Sequence, residues 1–191
     1  MRKILQDKIC MNDINKICIM TQGKENDHRK EELYQLTFDE NDRVSFNALW
    51  ALTHFDEANN LWLFQKHDDL INRVLVEKNE TKRRLMLHLL LRQPFEEESL
   101  RSDFIDFCIA KITACSQPYA IRCYCMKLAY EQMKYYPELL EELRMALRNA
   151  SGVAERSTAR AVPSRTASAS PSPDRTPTWH STYLRDSRCG W

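Results

Sequence analysis

The feature that most constrains this chain is a helical segment that recurs at a nearly constant interval. Its three copies begin at Arg43, Glu80 and Pro118 and read RVSFNALWALTHF, ETKRRLMLHLLLR and PYAIRCYCMKLAY, with starts 37 and 38 residues apart. Each copy follows another segment of helical spacing: KEELYQLTF, HDDLINRVLVEK and SDFIDFCIAKITA. A two-helix unit that recurs in this way indicates a solenoid, because one pair cannot bury its apolar face without a neighbouring pair.

Helical periodicity covers most of the chain, and no segment shows the alternation of a convincing β-strand. The predicted helices span residues 3–20, 28–37, 43–55, 58–77, 80–92, 99–115, 118–134 and 137–149. Asn79 and Ser99 can cap the helices that follow them, and Pro118 and Pro137 can occupy first turns. We therefore expect an all-α fold, a right-handed α-α superhelix of about three to four stacked helical pairs.

The composition changes after residue 150, which predicts a boundary between a helical body (1–150) and a tail (151–191). The tail has six arginines, no lysine, and many Ser, Thr, Ala and Pro residues. The stretch SGVAERSTARAV is long enough for one short capping helix. From Pro163 onward no apolar periodicity remains, so we expect disorder there. Such a tail can be a natural extension or the result of a reading-frame change at the 3′ end of the gene.

Charge and hydropathy limit the classes of function. The net charge of +1 provides no long-range field towards nucleic acid or membranes, and residues 1–150, with 22 basic and 24 acidic side chains, have a net charge of −2. No run of about 18 apolar residues predicts a transmembrane helix. The start MRKILQDKICMND lacks the apolar core of a signal peptide. We therefore expect a cytoplasmic protein whose seven cysteines are thiols.

The loops within the helical pairs, and the helices that follow them, resemble HEAT or armadillo-type repeats. The loops read DENDR, EKNE and CSQP, and the helices VSFNALWAL, TKRRLMLHL and AIRCYCMKL carry small, apolar and arginine residues. The resemblance covers approximately residues 30–150. It implies that the second helix of each pair lines a concave surface. It also implies a non-enzymatic scaffold that binds an unidentified protein or peptide on that surface.

The stretch EELYQLTFDENDRVSFNALWALTHF is also similar to a group of small bacterial HEAT-like proteins, some of which bear the name adenylosuccinate lyase. The lyase family carries a mobile serine loop of the form S-S-x-M-P-x-K-x-N-P, and this sequence contains no match to it. A lyase activity is therefore disfavoured.

The repeat alignment places a set of polar and aromatic side chains on the predicted concave face. Arg84, His88 and Arg92 share one stripe of their helix because they are spaced by four residues. Arginine offers bidentate donors to carboxylates, and Trp50 offers an apolar anchor. The predicted binding residues are Arg43, Asn47, Trp50, Arg84, His88, Arg92 and Arg122. The alternative, in which the stripe faces only solvent, stays open.

Nucleic acid is the less favoured ligand, although the fold of HEAT-like DNA glycosylases can hold a duplex in its concavity. The basic residues on the predicted inner helices are Arg43, Lys82, Arg83, Arg84, Arg92, Arg122 and Lys127. They barely reach the roughly 6–10 phosphate contacts of a typical complex, and helical geometry spreads them over several faces. The acidic run FEEE at 95–98 also lies close by.

No motif predicts a metal, a cofactor or a catalytic centre. Among Cys108, Cys115, Cys123 and Cys125, the last two are separated by one residue on a helix. Their side chains therefore diverge by about 200° and cannot share a tetrahedral zinc ion. His54, near Trp50 and Asp56, is a conceivable acid–base site, but no nucleophile elbow, phosphate loop or zinc-protease motif occurs in the sequence. We expect buried thiols and no enzyme; the oligomeric state stays open.

Overall fold

The computed structural model describes the backbone of residues 1–161 and the side chains of residues 1–150. This part of the chain is all-α and has no strand, as predicted. Its helices are α1 Arg2–Gln6, α2 Met11–Thr21, α3 Asp27–Leu36, α4 Asp42–Leu52, α5 Glu57–Phe64, α6 His67–Val76, α7 Glu80–Leu91, α8 Ser102–Thr113, α9 Tyr119–Met133 and α10 Pro137–Ala161, with 3₁₀ turns at Lys24–Asn26 and Glu97–Ser99. None of the helices described is long and apolar enough to cross a membrane.

The helices form pairs, and the pairs stack in chain order. Helix α3 packs against α4, α6 against α7, and α8 against α9. Helix α7 also contacts α4 and α9, so it is the central inner helix of the stack. Its apolar side chains are buried around most of its circumference: Leu85, Met86, Leu87, Leu89 and Leu90. Each buried leucine contributes about 1.5–3 kcal/mol, so the leucine-rich run stabilises contacts with both neighbours. The predicted stack of helical pairs is confirmed.

Two equivalent asparagine caps begin the inner helices α4 and α7. The side-chain oxygen of Asn41 accepts hydrogen bonds from the backbone N–H groups two and three residues ahead, and Asn79 does the same. The residue two positions before each cap is also equivalent. Asp39 and Glu77 accept a hydrogen bond from the backbone N–H of the respective asparagine at 2.9 and 2.8 Å. The predicted cap at Asn79 is confirmed.

These caps correct the register of the repeat. They lie 38 residues apart, so the first interval of 37 in the sequence alignment is one residue too short. In the corrected register, Trp50 is equivalent to His88 and Phe46 is equivalent to Arg84. The sequence alignment therefore pairs each residue of α4 with a residue of α7 that lies one position too early.

The helix predicted over 3–20 is wrong, because α1 and α2 are separated by four residues. Asn47 of α4 is only 5% exposed, and its amide nitrogen donates to the backbone carbonyls of Leu5 at 2.9 Å and Asp7 at 3.3 Å. The carbonyls of Leu5 and Asp7 therefore accept hydrogen bonds from α4, and the side chain of Ile9 is buried in the core. The tertiary contact overrides the local helical propensity.

The helix predicted over 58–77 is also interrupted, at Gln65 and Lys66 between α5 and α6. The ammonium group of Lys66 lies 5.4 Å from the ring centre of Tyr34 and 6.0 Å from that of Trp62. The break thus places the side chain of Lys66 against rings of α3 and α5.

The cap predicted at Ser99 is wrong. The Ser99 hydroxyl accepts a hydrogen bond from the backbone N–H of Glu96 at 3.2 Å and donates to its carbonyl at 2.7 Å, within a 3₁₀ turn. Helix α8 begins at Ser102, after an N-cap residue, Arg101, that makes no side-chain capping bond. The helix predicted over 99–115 is therefore shorter at its start.

Helix α10 is longer than the predicted segment 137–149. It runs unbroken from Pro137 to Ala161, so the stretch expected to form a short capping helix continues α10 instead. The segment expected to be disordered, from Pro163 onward, lies outside the described residues.

Candidate binding groove

A cavity of about 460 Å³, here termed the central cavity, lies where α4, α7 and α9 meet. Its lining consists of Phe46, Trp50, Thr53, His54, Arg84, Leu85, His88 and Tyr124. Trp50, Arg84 and His88, which the sequence assigns to the concave face, therefore share one cavity. The three helices are the inner members of successive pairs, so the stacking itself assembles the cavity.

The walls of the central cavity are aromatic rings held by contacts with one another. The imidazole of His88 stacks on the ring of Tyr124, with centroids 5.7 Å apart and an interplanar angle of 17°. Trp50 meets His54 edge to face, with centroids 6.0 Å apart. The Nδ1 atom of His54 lies 3.0 Å from the carbonyl oxygen of Trp50, which fixes the imidazole one turn after the indole. These contacts restrict the rings before any ligand enters.

Arg84 brings a permanent positive charge into the central cavity. Among the side chains that the structure describes, no acidic one lines this cavity. Glu80, the acid one turn earlier on α7, pairs instead with Arg83, with Nη1 and Oε1 2.5 Å apart. Within the part of the chain whose side chains are described, the guanidinium of Arg84 has neither an ion pair nor a hydrogen bond. Its five donors are available to a ligand.

The pKa of His88 is lowered from the ordinary value of 6.5. Burial is the largest cause, and the positive charges of Arg92 and Arg84 act in the same direction. The imidazole is therefore neutral at pH 7. An anion placed in the cavity would offset these charges and favour the protonated ring.

A second cavity of about 320 Å³, here termed the N-terminal cavity, adjoins the first. Its lining consists of Asp7, Lys8, Ile9, Arg43, Phe46, Asn47 and Trp50. Phe46 and Trp50 line both cavities, so the indole is a shared wall. Lys8 and Arg43 are exposed, and among the described side chains neither has an acidic partner. Asp7 is the one acid in this lining among residues 1–150. The two cavities together are termed the groove.

Three of the predicted binding residues are occupied by contacts within the chain. Arg92 donates to the backbone carbonyls of Thr53 at 2.6 Å and Phe55 at 2.5 Å, directly after α4. Arg122 donates through Nε to a backbone carbonyl in the last turn of α8 at 3.1 Å. Asn47 lines the N-terminal cavity, but it is buried and both donors of its amide hold the end of α1. These side chains connect elements of the stack, and we leave them out of the candidate site.

A family model described as HEAT repeat domain matches residues 1–168. The chain belongs to the HEAT repeat domain family. The match includes α1 and α2, so the repeat domain starts well before residue 30, where the resemblance in the sequence began. No curated protein and no solved structure matches the chain. Membership identifies a helical repeat scaffold of a kind that typically mediates protein interaction.

Some residues of the groove in this HEAT repeat domain were not predicted. Phe46 could have been found from the 38-residue register, which makes it equivalent to Arg84. Tyr124 has no such signal, because it faces His88 across two helices that are far apart in the sequence. Lys8 lies in the break between α1 and α2, which was predicted to be helical.

The acid–base role considered for His54 has no support from its contacts. Asp56, the nearest carboxylate in the sequence, accepts a hydrogen bond from the backbone N–H of Asn59 at 2.8 Å and caps α5. His54 instead contacts the carbonyl of Trp50. The two side chains thus have separate structural partners.

The cysteines of the repeat domain differ in their surroundings. Cys108 and Cys125 are buried, Cys123 is half-buried and Cys115 is exposed. A hydrogen bond with Cys125 and burial raise the pKa of the Cys108 thiol. Within the described residues, no group of three or more His, Cys, Asp or Glu side chains is placed to hold a metal ion.

Proposed function

We propose that this HEAT repeat domain is a non-catalytic scaffold that binds a protein partner in the groove. The observation that carries the proposal is the central cavity, in which Trp50, His88 and Tyr124 provide aromatic surface beside the guanidinium of Arg84, which has no ion pair among the described side chains. Tryptophan, tyrosine and arginine are the residue types that dominate the binding energy of protein interfaces.

The dimensions of the central cavity fit one large side chain of a partner. An apolar side chain that leaves water there would contribute about 1.5–3 kcal/mol. The rings that receive it already contact one another, so little side-chain freedom is lost on binding. Association itself costs at least about 4 kcal/mol, so the partner also needs further contacts along the groove.

Nucleic acid is a weaker candidate because several basic residues of the inner helices are already paired. Lys82 pairs with Asp42 at 2.6 Å, and Arg83 pairs with Glu80 at 2.5 Å. Arg92 donates to backbone carbonyls. The cations that remain in the groove fall below the roughly 6–10 phosphate contacts of a typical complex. A protein ligand needs fewer charges and makes use of the aromatic surface.

The test is affinity capture from cells with the full chain, two groove variants and a control variant that matches Arg84→Glu in charge. Arg84→Glu and Trp50→Ala should each lose a partner that the wild-type protein retains in stoichiometric amount. Lys24→Glu, on an exposed side chain in the 3₁₀ turn after α2, should retain it. Thermal unfolding of each variant verifies that the fold is intact. A partner that binds all four proteins equally, or salt-sensitive binding to duplex DNA without any protein partner, would contradict the proposal.

A further inference from the structure

We infer that the groove recognises an acidic linear peptide, which inserts an apolar side chain into the central cavity and places a carboxylate against Arg43 and Lys8 in the N-terminal cavity. The inference rests on the proposed function and adds the chemistry of the partner segment. Three observations support it: the distribution of charge, the shared wall between the cavities, and the spacing of their side chains.

The charge of the groove is opposite to that of the helical body. Residues 1–150 have a net charge of −2, whereas the part of the cavity lining that the structure describes contains Lys8, Arg43 and Arg84 against the single acid Asp7. Many cations elsewhere have an acidic partner; Lys66, for example, pairs with a glutamate of α3 at 2.9 Å. A positive groove in a negative body attracts acidic ligands and disfavours basic ones.

A ligand that occupies both cavities crosses the indole of Trp50. Phe46 and Trp50 contribute to both linings, so a segment that occupies one cavity reaches the other directly over this ring. Each cavity has room for a side chain, and the shared wall lets neighbouring side chains of one ligand segment fill both. A linear segment is therefore the form of ligand that the groove fits.

The spacing on α4 predicts the spacing in the ligand. Arg43 and Trp50 are seven positions apart on one helix, which corresponds to about 10 Å along its axis. An extended peptide covers about 3.3–3.6 Å per residue. The acidic residue should thus lie about three positions from the apolar residue. A second carboxylate next to the apolar residue would reach Arg84.

Selection from a library of random linear peptides, with the full chain as the target and Trp50→Ala as the counter-target, tests the inference. The sequences retained should place Asp or Glu about three positions from a large apolar residue. In fluorescence anisotropy, a synthetic copy of one such peptide should bind Arg43→Glu about tenfold more weakly or worse, and Lys24→Glu as well as wild type. Replacement of its acids by Gln or Asn should weaken binding to a similar extent.

Two results would overturn the inference. Groove-dependent selection of basic or uncharged peptides would refute the acidic ligand, and the proposed function would survive if affinity capture still shows loss of a partner by Arg84→Glu. Competition of the selected peptide by single-stranded oligodeoxythymidine, at equal or higher affinity and with steep salt dependence, would assign the groove to nucleic acid. In that case the inference and the proposed function both fail.

Discussion

Replacing Arg92 with methionine should destabilise the protein far more than the same replacement of Arg84, although both arginines belong to the inner helix α7 and its cap. Arg92 donates two hydrogen bonds to the carbonyls of Thr53 and Phe55, where α4 ends, at 2.6 and 2.5 Å. It thereby connects the end of one repeat to the end of the next. Arg84 has no partner among the described side chains. Methionine keeps most of the aliphatic stem in both variants and removes only the charged head.

The expected magnitude follows from the contacts that are lost. A hydrogen bond to a charged group contributes about 1.5–3 kcal/mol when it is buried. The Arg92 side chain is half-buried, so water replaces part of each bond, and we expect a loss of about 2–4 kcal/mol. The guanidinium also places a positive charge at the C-terminus of α4, where the helix dipole favours it. Arg84→Met should change the free energy of unfolding by less than about 0.5 kcal/mol.

The assay is urea unfolding followed by far-UV circular dichroism, with the m-values compared to verify that each variant exposes a similar surface. Arg92→Lys, which keeps the charge but not the two-donor fork, should fall between wild type and Arg92→Met. The assigned roles are incorrect if Arg92→Met unfolds at the wild-type midpoint. They are equally incorrect if Arg84→Met is destabilised to the same degree.

Asn79→Ala should lower the free energy of unfolding by about 1 kcal/mol in urea, because α7 loses the acceptor of its first N–H groups; an unchanged midpoint would contradict this role. Stability should fall as the pH decreases below 6.5, because burial lowers the pKa of His67 and the unfolded chain binds the proton first; His67→Phe should reduce this slope in urea titrations at several pH values. Affinity for the acidic peptide should fall over the same pH range, because its apolar anchor shields His88 from water and disfavours the protonated ring. His88→Phe should remove the fall in anisotropy titrations, and an equal fall in that variant would refute the coupling.

The repeat architecture was predictable because each inner helix carries its own local signals. Asn79 precedes a helical run, and the apolar positions within each run follow the 3.6-residue period. The break near Asp7 was not predictable, because it depends on the amide of Asn47, some forty residues away in the sequence. No glycine or proline marks the break, so only the tertiary contact accounts for it.

The site was predictable where the helical period or the repeat alignment applied, as for Trp50, which lines both cavities. Arg84 and His88 were identified because they lie one turn apart, and both line the central cavity. The same period also selected Arg92, whose guanidinium reaches carbonyls of the preceding repeat instead. A polar stripe on a helix indicates which side chains share a face. It does not indicate which of them contact a neighbouring backbone, and Tyr124 joins the cavity through packing alone.

The position of Trp50 between two cavities implies that the anchors of a ligand are coupled through effective concentration. An anchor that occupies one cavity holds the other anchor beside the second cavity, so the second binding step is intramolecular. Coupling of this kind is reciprocal, so each anchor should bind more tightly when the other is in place. Removing either anchor from a peptide that carries both should therefore cost more binding free energy than that anchor provides when it binds alone.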